Sequence, residues 1–332
     1  VIIRSGPRGL LSSAVLGVLV VQAHAAEPAL ALDSTIPLGD VRGRIDHLAF
    51  EPGRQRLLIA ELGNDSIGVL DLQRGALLAT VTQLDEPQGV AWLAATDEIT
   101  IANAGDGTLR RYRAANLEPL ASLKLGSDAD NLRTGSAGRT LLVGHGNGAL
   151  GILDAKNPDA PQSIALPAHP EGFQWDEGRH RAYVNLPSAQ AIAVVDTERR
   201  QLVTTWSTGT LRGNFPMALS PDGKTLWAGF RSPPRIVAFD TSTGALSQAT
   251  ETCSDTDDVF FDARRKWIYV ICGSGEVDIR DTADRSLPRI ARIPTRGGAR
   301  TGLFVPERDR LYVAAPARPG AQAAVYVFRP VK

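Results

Sequence analysis

Apolar residues in this chain come in short runs closed by polar turns, and one phrase keeps returning: a small apolar run that ends in Asp. It reads Val69-Leu70-Asp71, Ile152-Leu153-Asp154, Val194-Val195-Asp196, Ala238-Phe239-Asp240 and Ile279-Arg280-Asp281, with Arg111-Tyr112-Arg113 filling the one gap. The closing positions 71, 113, 154, 196, 240 and 281 lie 41 to 44 residues apart. A helix would space its apolar residues three and four apart; these runs are continuous or alternating, as in strands.

Each unit carries four strand signals separated by Gly, Asn, Asp and Pro. In the first unit they cover 47–50, 56–62, 66–72 and 76–82, and in the fourth 172–175, 181–186, 191–196 and 201–207. Second strands are the most regular, from Leu57-Leu58-Ile59-Ala60 through Ala182-Tyr183-Val184-Asn185 to Leu311-Tyr312-Val313-Ala314, and seven copies are legible. A strand-rich period of this length predicts an all-β, seven-bladed β-propeller with four antiparallel strands per blade. The last unit supplies three strands, ending at 325–328. Residues 31–38 (ALDSTIPL) are expected to add its fourth, closing the ring and leaving no exposed sheet edge.

Ahead of the repeats, Arg4 and Arg8 precede an apolar stretch over 10–21, and Ala23-His24-Ala25 forms a small-residue cleavage box. That pattern predicts a signal peptide over 1–25 and a periplasmic or secreted chain over 26–332, a single propeller domain without a transmembrane segment. The full sequence balances 36 basic against 36 acidic residues, which excludes the basic excess of a nucleic-acid binder. The two cysteines, Cys253 and Cys272, fall at the approach to the sixth blade and the end of its second strand. An exported protein can bridge such a pair, and two free thiols are the alternative.

The fifth unit, with Phe215-Pro216-Met217-Ala218-Leu219-Ser220-Pro221-Asp222-Gly223-Lys224-Thr225-Leu226-Trp227-Ala228 followed by Val237-Ala238-Phe239-Asp240-Thr241, resembles the YVTN-type (YncE-like) propeller repeat. Units one, from His47, and four, at Ile192-Ala193-Val194-Val195-Asp196-Thr197, follow the same pattern. The resemblance implies the propeller fold and leaves function open, since such propellers include enzymes, surface proteins and binding modules. There is no C-x-x-C-H haem attachment site and no adjacent cysteine pair of the quinoprotein kind.

In a propeller, the first strand of each blade lines the central channel. The residues leading into these strands are Asp46-His47, Gln88-Gly89, Asp130-Asn131, Glu171-Gly172, Asn214-Phe215, Asp257-Asp258 and Arg300-Thr301. Polar side chains from every blade thus converge on one mouth, which points to a concave ligand site formed by Asp46, His47, Gln88, Asp130, Asn131, Glu171, Asn214, Asp257, Asp258 and Arg300. The competing reading makes the same Asp, Asn and Gly residues caps of tight turns. His145 and His169 fall on the same face as His47, and His180 on the opposite one.

These observations favour an exported, monomeric, non-catalytic propeller without a cofactor. Its ligand, an unidentified small molecule, peptide or partner protein, would sit at the polar mouth. The alternative is a metal-dependent hydrolase or lyase of the lactonase kind. There a divalent cation such as calcium would be held by Asp130, Glu171 and Asp258, joined by Asn131 or His47, with His47 or His169 as general base.

Overall fold

The computed structural model describes residues 1–2 and 29–331. The leader expected over 1–25 lies, but for its first two residues, outside that range. No helix among the described residues is long and apolar enough to cross a membrane.

Seven four-stranded antiparallel sheets follow one another along the chain. Blade 1 comprises Leu48–Glu51, Arg56–Glu61, Ser66–Asp71 and Ala76–Val81. Blade 3 comprises Leu132–Thr134, Thr140–His145, Ala149–Asp154 and Asn157–Ala165. Blade 4 runs from Phe173–Asp176 to Gln201–Ser207, blade 5 from Arg212–Leu219 to Leu246–Glu251, and blade 6 from Thr256–Asp262 to Arg289–Pro294. Blade 2 opens with Pro87–Leu93. In blade 7, Thr301–Val305, Arg310–Ala315 and Ala324–Pro330 are completed by Leu30–Pro37, which pairs antiparallel with Ala324–Pro330. The expected closure of the first strand on the last blade is present.

Alternation along the second strands explains the ring. In a strand, neighbouring side chains point to opposite faces. Leu57 and Ile59 pack against Val325 and Tyr312 of blade 7, while Leu58 and Ala60 pack against Ile99 and Ile101 of blade 2. Seven apolar clusters result, each shared by two adjacent blades, and the one joining blade 7 to blade 1 shows that the ring is closed. Because both faces of these strands are buried, their sequences read as continuous apolar runs.

The recurring Asp has a local cause. Asp71 Oδ1 accepts the backbone N–H groups of Gln73 (2.9 Å) and Arg74 (3.0 Å), and Asp196 and Asp240 do the same for the residues two and three further on. Each closes the turn between third and fourth strands. In blade 2, where Arg113 stands instead, Asn116 Oδ1 accepts the N–H of Glu118 at 3.2 Å.

Two glycines bring the channel wall together. A Cβ on Gly89 would stand 2.2 Å from the Asp130 carbonyl oxygen, and one on Gly172 2.4 Å from that of Phe215. Only a residue without a side chain lets the next blade's first strand come so close.

Candidate functional site

The first strands surround a cavity of about 350 Å³, near the lower end of the range for small-molecule sites. Its mouth is a polar collar of Arg44, Asp46, His47, Gln88, Asp130, Asn131, Glu171, Asp257 and Asp258. Beyond the collar the wall turns apolar, with Ala49, Phe50, Trp92, Met217, Phe260 and Leu303, and is interrupted by Gln174 and Arg133.

The collar has two unlike arcs. In the arc built from blades 5, 6, 7 and 1, arginines meet two of the three carboxylates, Asp46 and Asp257, and the third, Asp258, is held by a backbone N–H and an imidazole. Asp257 Oδ1 accepts Arg231 Nη2 at 2.5 Å, and Asp46 Oδ2 lies 2.8 Å from Arg44 Nη2. Arg231 is itself held over the Phe215 ring at 3.9 Å and donates to the Thr256 carbonyl. Asp258 Oδ2 accepts the Gly302 N–H at 2.8 Å, and His47 lies between Asp46 (3.6 Å) and Asp258 (3.7 Å). Burial pushes Asp46 and Asp258 up to about 7, and Asp257 to about 6, despite these neighbours.

The arc built from blades 3 and 4 has no arginine in contact with its carboxylates. Asp130, 3% exposed, faces His169 Nε2 at 3.8 Å and, among the described residues, otherwise only the Asn131 amide at 3.4 Å. Among the described residues, the Glu171 side chain has no hydrogen bond or ion pair. Burial, then repulsion from Asp130, pushes it up to about 8 against the opposing influence of His169. Burial opposes the charge on His169, but Asp130, the Gly146 carbonyl and nearby carboxylates outweigh it and raise the imidazole to about 9. Among the described residues, Asp130, His169 and Glu171 are the one group of three metal-ligating side chains, with one donor atom from each within 4.8 Å of the others.

Of the ten ligand residues expected from sequence, eight line the cavity: Asp46, His47, Gln88, Asp130, Asn131, Glu171, Asp257 and Asp258. Asn214 does not. It is fully buried, and its amide donates to Asn185 Oδ1 and the Ala191 carbonyl, both at 2.9 Å. It therefore joins blade 5 to blade 4. Arg300 stays at the rim, paired with Asp255 at 2.9 Å. The alternative cation set of Asp130, Glu171, Asp258 and His47 is divided between the arcs: His47 and Asp258 face each other on one, and Asp130 and Glu171 join His169 on the other. Cys253 and Cys272 are bonded in a disulfide, with Cα atoms 5.9 Å apart.

Arg133 escaped the sequence reading, although a signal was there. Matching first strands through their pairing with second strands places it level with Ala49, Ala91, Gln174, Phe260 and Leu303. It is the one charged residue in that set. Its guanidinium donates to the Leu132 carbonyl at 2.8 Å and lies 5.6 Å from the Phe173 ring, without an ion pair. Burial lowers its pKa from the usual arginine value.

No family model matches the sequence, and no curated protein matches it. Solved structures do. A chain of Kuenenia stuttgartiensis hydrazine synthase superposes with a TM-score of 0.77 at 15% identity, covering 94% of this chain and 99% of that one. A chain of a mitotic checkpoint complex gives 0.78 at 13% identity, covering 97% and 98%. Similarity at this level shows the seven-bladed propeller fold alone.

Proposed function

We propose that this chain is an exported, monomeric propeller of the YVTN (YncE-like) type. It binds a small molecule bearing an anionic group, such as a carboxylate or phosphate, in its channel. One observation carries the ligand's charge: Arg133 places a guanidinium in the cavity wall without a carboxylate partner. The guanidinium is half-buried in the cavity wall, and Asp258 and Asp130 act on it only from beyond ion-pair distance. Its donors are therefore left for a ligand, and its fork matches carboxylate and phosphate oxygens. The polar collar would orient the rest of the molecule, with the apolar wall below taking its hydrocarbon part. Repeat-unit sequence supports the family assignment. Export is supported by the apolar N-terminal pattern and by the disulfide, which belongs to oxidising compartments.

Calorimetry with small carboxylates and phosphates, each matched to its neutral amide or alcohol, tests the reading. Binders should come from the charged set, and Arg133→Met should weaken them tenfold or more, about the 1.4 kcal/mol that one decade represents. A peptide C-terminus presents the same carboxylate, so free-acid and amidated peptides form a separate arm. Equal binding of charged and neutral partners, or an unaffected Arg133→Met variant, would overturn the proposal. The lactonase-like alternative draws on the Asp130–His169–Glu171 group. Turnover on lactones that EDTA abolishes would put it first.

A further inference from the structure

We infer that Asp130, His169 and Glu171 form a binding site for a divalent transition-metal ion at the junction of blades 3 and 4. This goes beyond the ligand reading and does not depend on it. Asp130 lies on the segment leading into blade 3, while His169 and Glu171 lie on the connection from blade 3 to blade 4. Their donor atoms are within 4.8 Å of one another. Ligands about 2.0 to 2.2 Å from a shared ion sit roughly 3 to 3.5 Å apart, so side-chain rotation closes the gap without backbone movement.

The histidine is prepared for this role. His169 Nδ1 lies 2.6 Å from the Gly146 carbonyl oxygen. A carbonyl can only accept, so Nδ1 carries the hydrogen in either charge state, and it is Nε2, facing Asp130 Oδ2 at 3.8 Å, that would give up its proton to a metal ion. A backbone acceptor that fixes the tautomer and aims the other nitrogen is the usual support of a metal-bound imidazole.

Asn131 supplies an independent sign. It is 2% exposed, lines the same cavity beside Asp130, and its Oδ1 has no donor. A buried amide oxygen in that condition calls for a partner, and a water held on a metal ion provides one. Charge distribution agrees. Arginines reach Asp46 and Asp257 on the opposite arc, but none pairs with Asp130 or Glu171. Two carboxylates and one imidazole suit zinc, manganese, iron(II) or cobalt better than calcium or magnesium, which prefer all-oxygen shells. Three protein ligands leave open positions facing the cavity, where an anionic ligand held at its other end by Arg133 could complete the coordination.

The test uses the full chain without any organic ligand. After EDTA treatment and its removal, equilibrium dialysis against Zn²⁺, Co²⁺, Mn²⁺, Ca²⁺ and Mg²⁺ should give one transition-metal ion per chain. Zn²⁺ or Co²⁺ should bind at least tenfold tighter than Ca²⁺. The Co²⁺ form should show visible absorption bands. His169→Ala should lose at least about tenfold in affinity, the smallest loss typical even of outer-shell partners. Glu171→Gln, which keeps the shape of an unpaired side chain and should fold normally, should do the same. His180→Asn, on the opposite face, should bind as the parent does. No stoichiometric metal on the parent chain, or equal Zn²⁺ affinity in His169→Ala and Glu171→Gln, overturns the inference. Anion binding measured separately then shows whether the Arg133 reading stands without it.

Discussion

The two arcs of the collar carry the same kind of residue in the same repeat position, yet the protein treats them differently. Asp257 meets Arg231, which is clamped in turn by Phe215 and the Thr256 carbonyl. The Cys253–Cys272 bridge ties the segment behind blade 5 to the second strand of blade 6 on the same side. Glu171, by contrast, has no arginine in contact among the described residues; His169 is its neighbour, and Arg44 acts on it only as a more distant charge. A buried carboxylate held by a fixed arginine, or as Asp258 is by a backbone N–H and His47, is part of the scaffold; one without such partners holds back interaction energy for something else. Partner supply, not residue type, separates structure from site here.

The strongest way to break this comparison is to take away the brace. Arg231→Met leaves Asp257, 8% exposed, with its nearest remaining cations, Arg44 and Arg300, at 3.9 and 4.0 Å. Removing one partner of a buried pair costs about 3 to 5 kcal/mol, and Arg231 is partly exposed, so the lower end is expected in urea unfolding. The double variant Arg231→Met/Asp257→Asn should recover most of the loss. A single-variant cost under about 1 kcal/mol would mean that the arginine arc is ordinary surface pairing.

Somewhat smaller is the effect of the bridge. Replacing both Cys253 and Cys272 by Ala frees a loop of 19 residues. Chain entropy sets the expected loss at about 3 kcal/mol, with native contacts within blade 6 retained. Unfolding midpoints of the parent with and without reductant should differ in the same direction. Indifference to reductant would remove the bridge from the brace.

How much of this contrast is legible in the sequence follows from what each feature depends on. The blades are written locally: alternation in the second strands, Asp at the third-strand turn and the 41-to-44-residue spacing all act within one unit. Eight collar residues are legible because five blades contribute at the same two adjacent positions leading into the first strand. Asn214 occupies the first of these too, but a bulge between Asn214 and Met217 accompanies its turn inward onto Asn185. Arg44 and Arg231 lie outside these positions. Whether they reach Asp46 and Asp257 depends on the distance between blades, which no single unit encodes. Arg133 was readable as the odd charge in an otherwise uncharged register.

The gentlest perturbation sharpens the comparison from the open arc. Glu171→Gln should stabilise the protein at pH 8 when metal is kept away by EDTA. In the folded chain Glu171 is raised to about 8 from its ordinary value of 4.5. Between those values the folded state holds a proton that the unfolded state has released, so stability falls as pH rises. Asp46 and Asp258, at about 7, and Asp257, at about 6, act in the same direction. So does His169, whose contribution is complete below 6.5 and lost as pH rises through about 9. Exposed pairs with lowered values, such as Asp97 and Asp154 at about 2, change only in more acid solution. The parent melting temperature should therefore decline from pH 5 to pH 8. Gln carries no proton and no charge, so Glu171→Gln should decline less. The shift taken at face value corresponds to about 4 kcal/mol at pH 8. With solvent screening at the open mouth, the variant's advantage should be on the order of 1 kcal/mol, or roughly 2 °C for a chain of this size, and vanish near pH 4.5. Parallel melting curves for parent and variant across that range would show that Glu171 is solvated like any surface carboxylate, and the distinction between the arcs would fall with it.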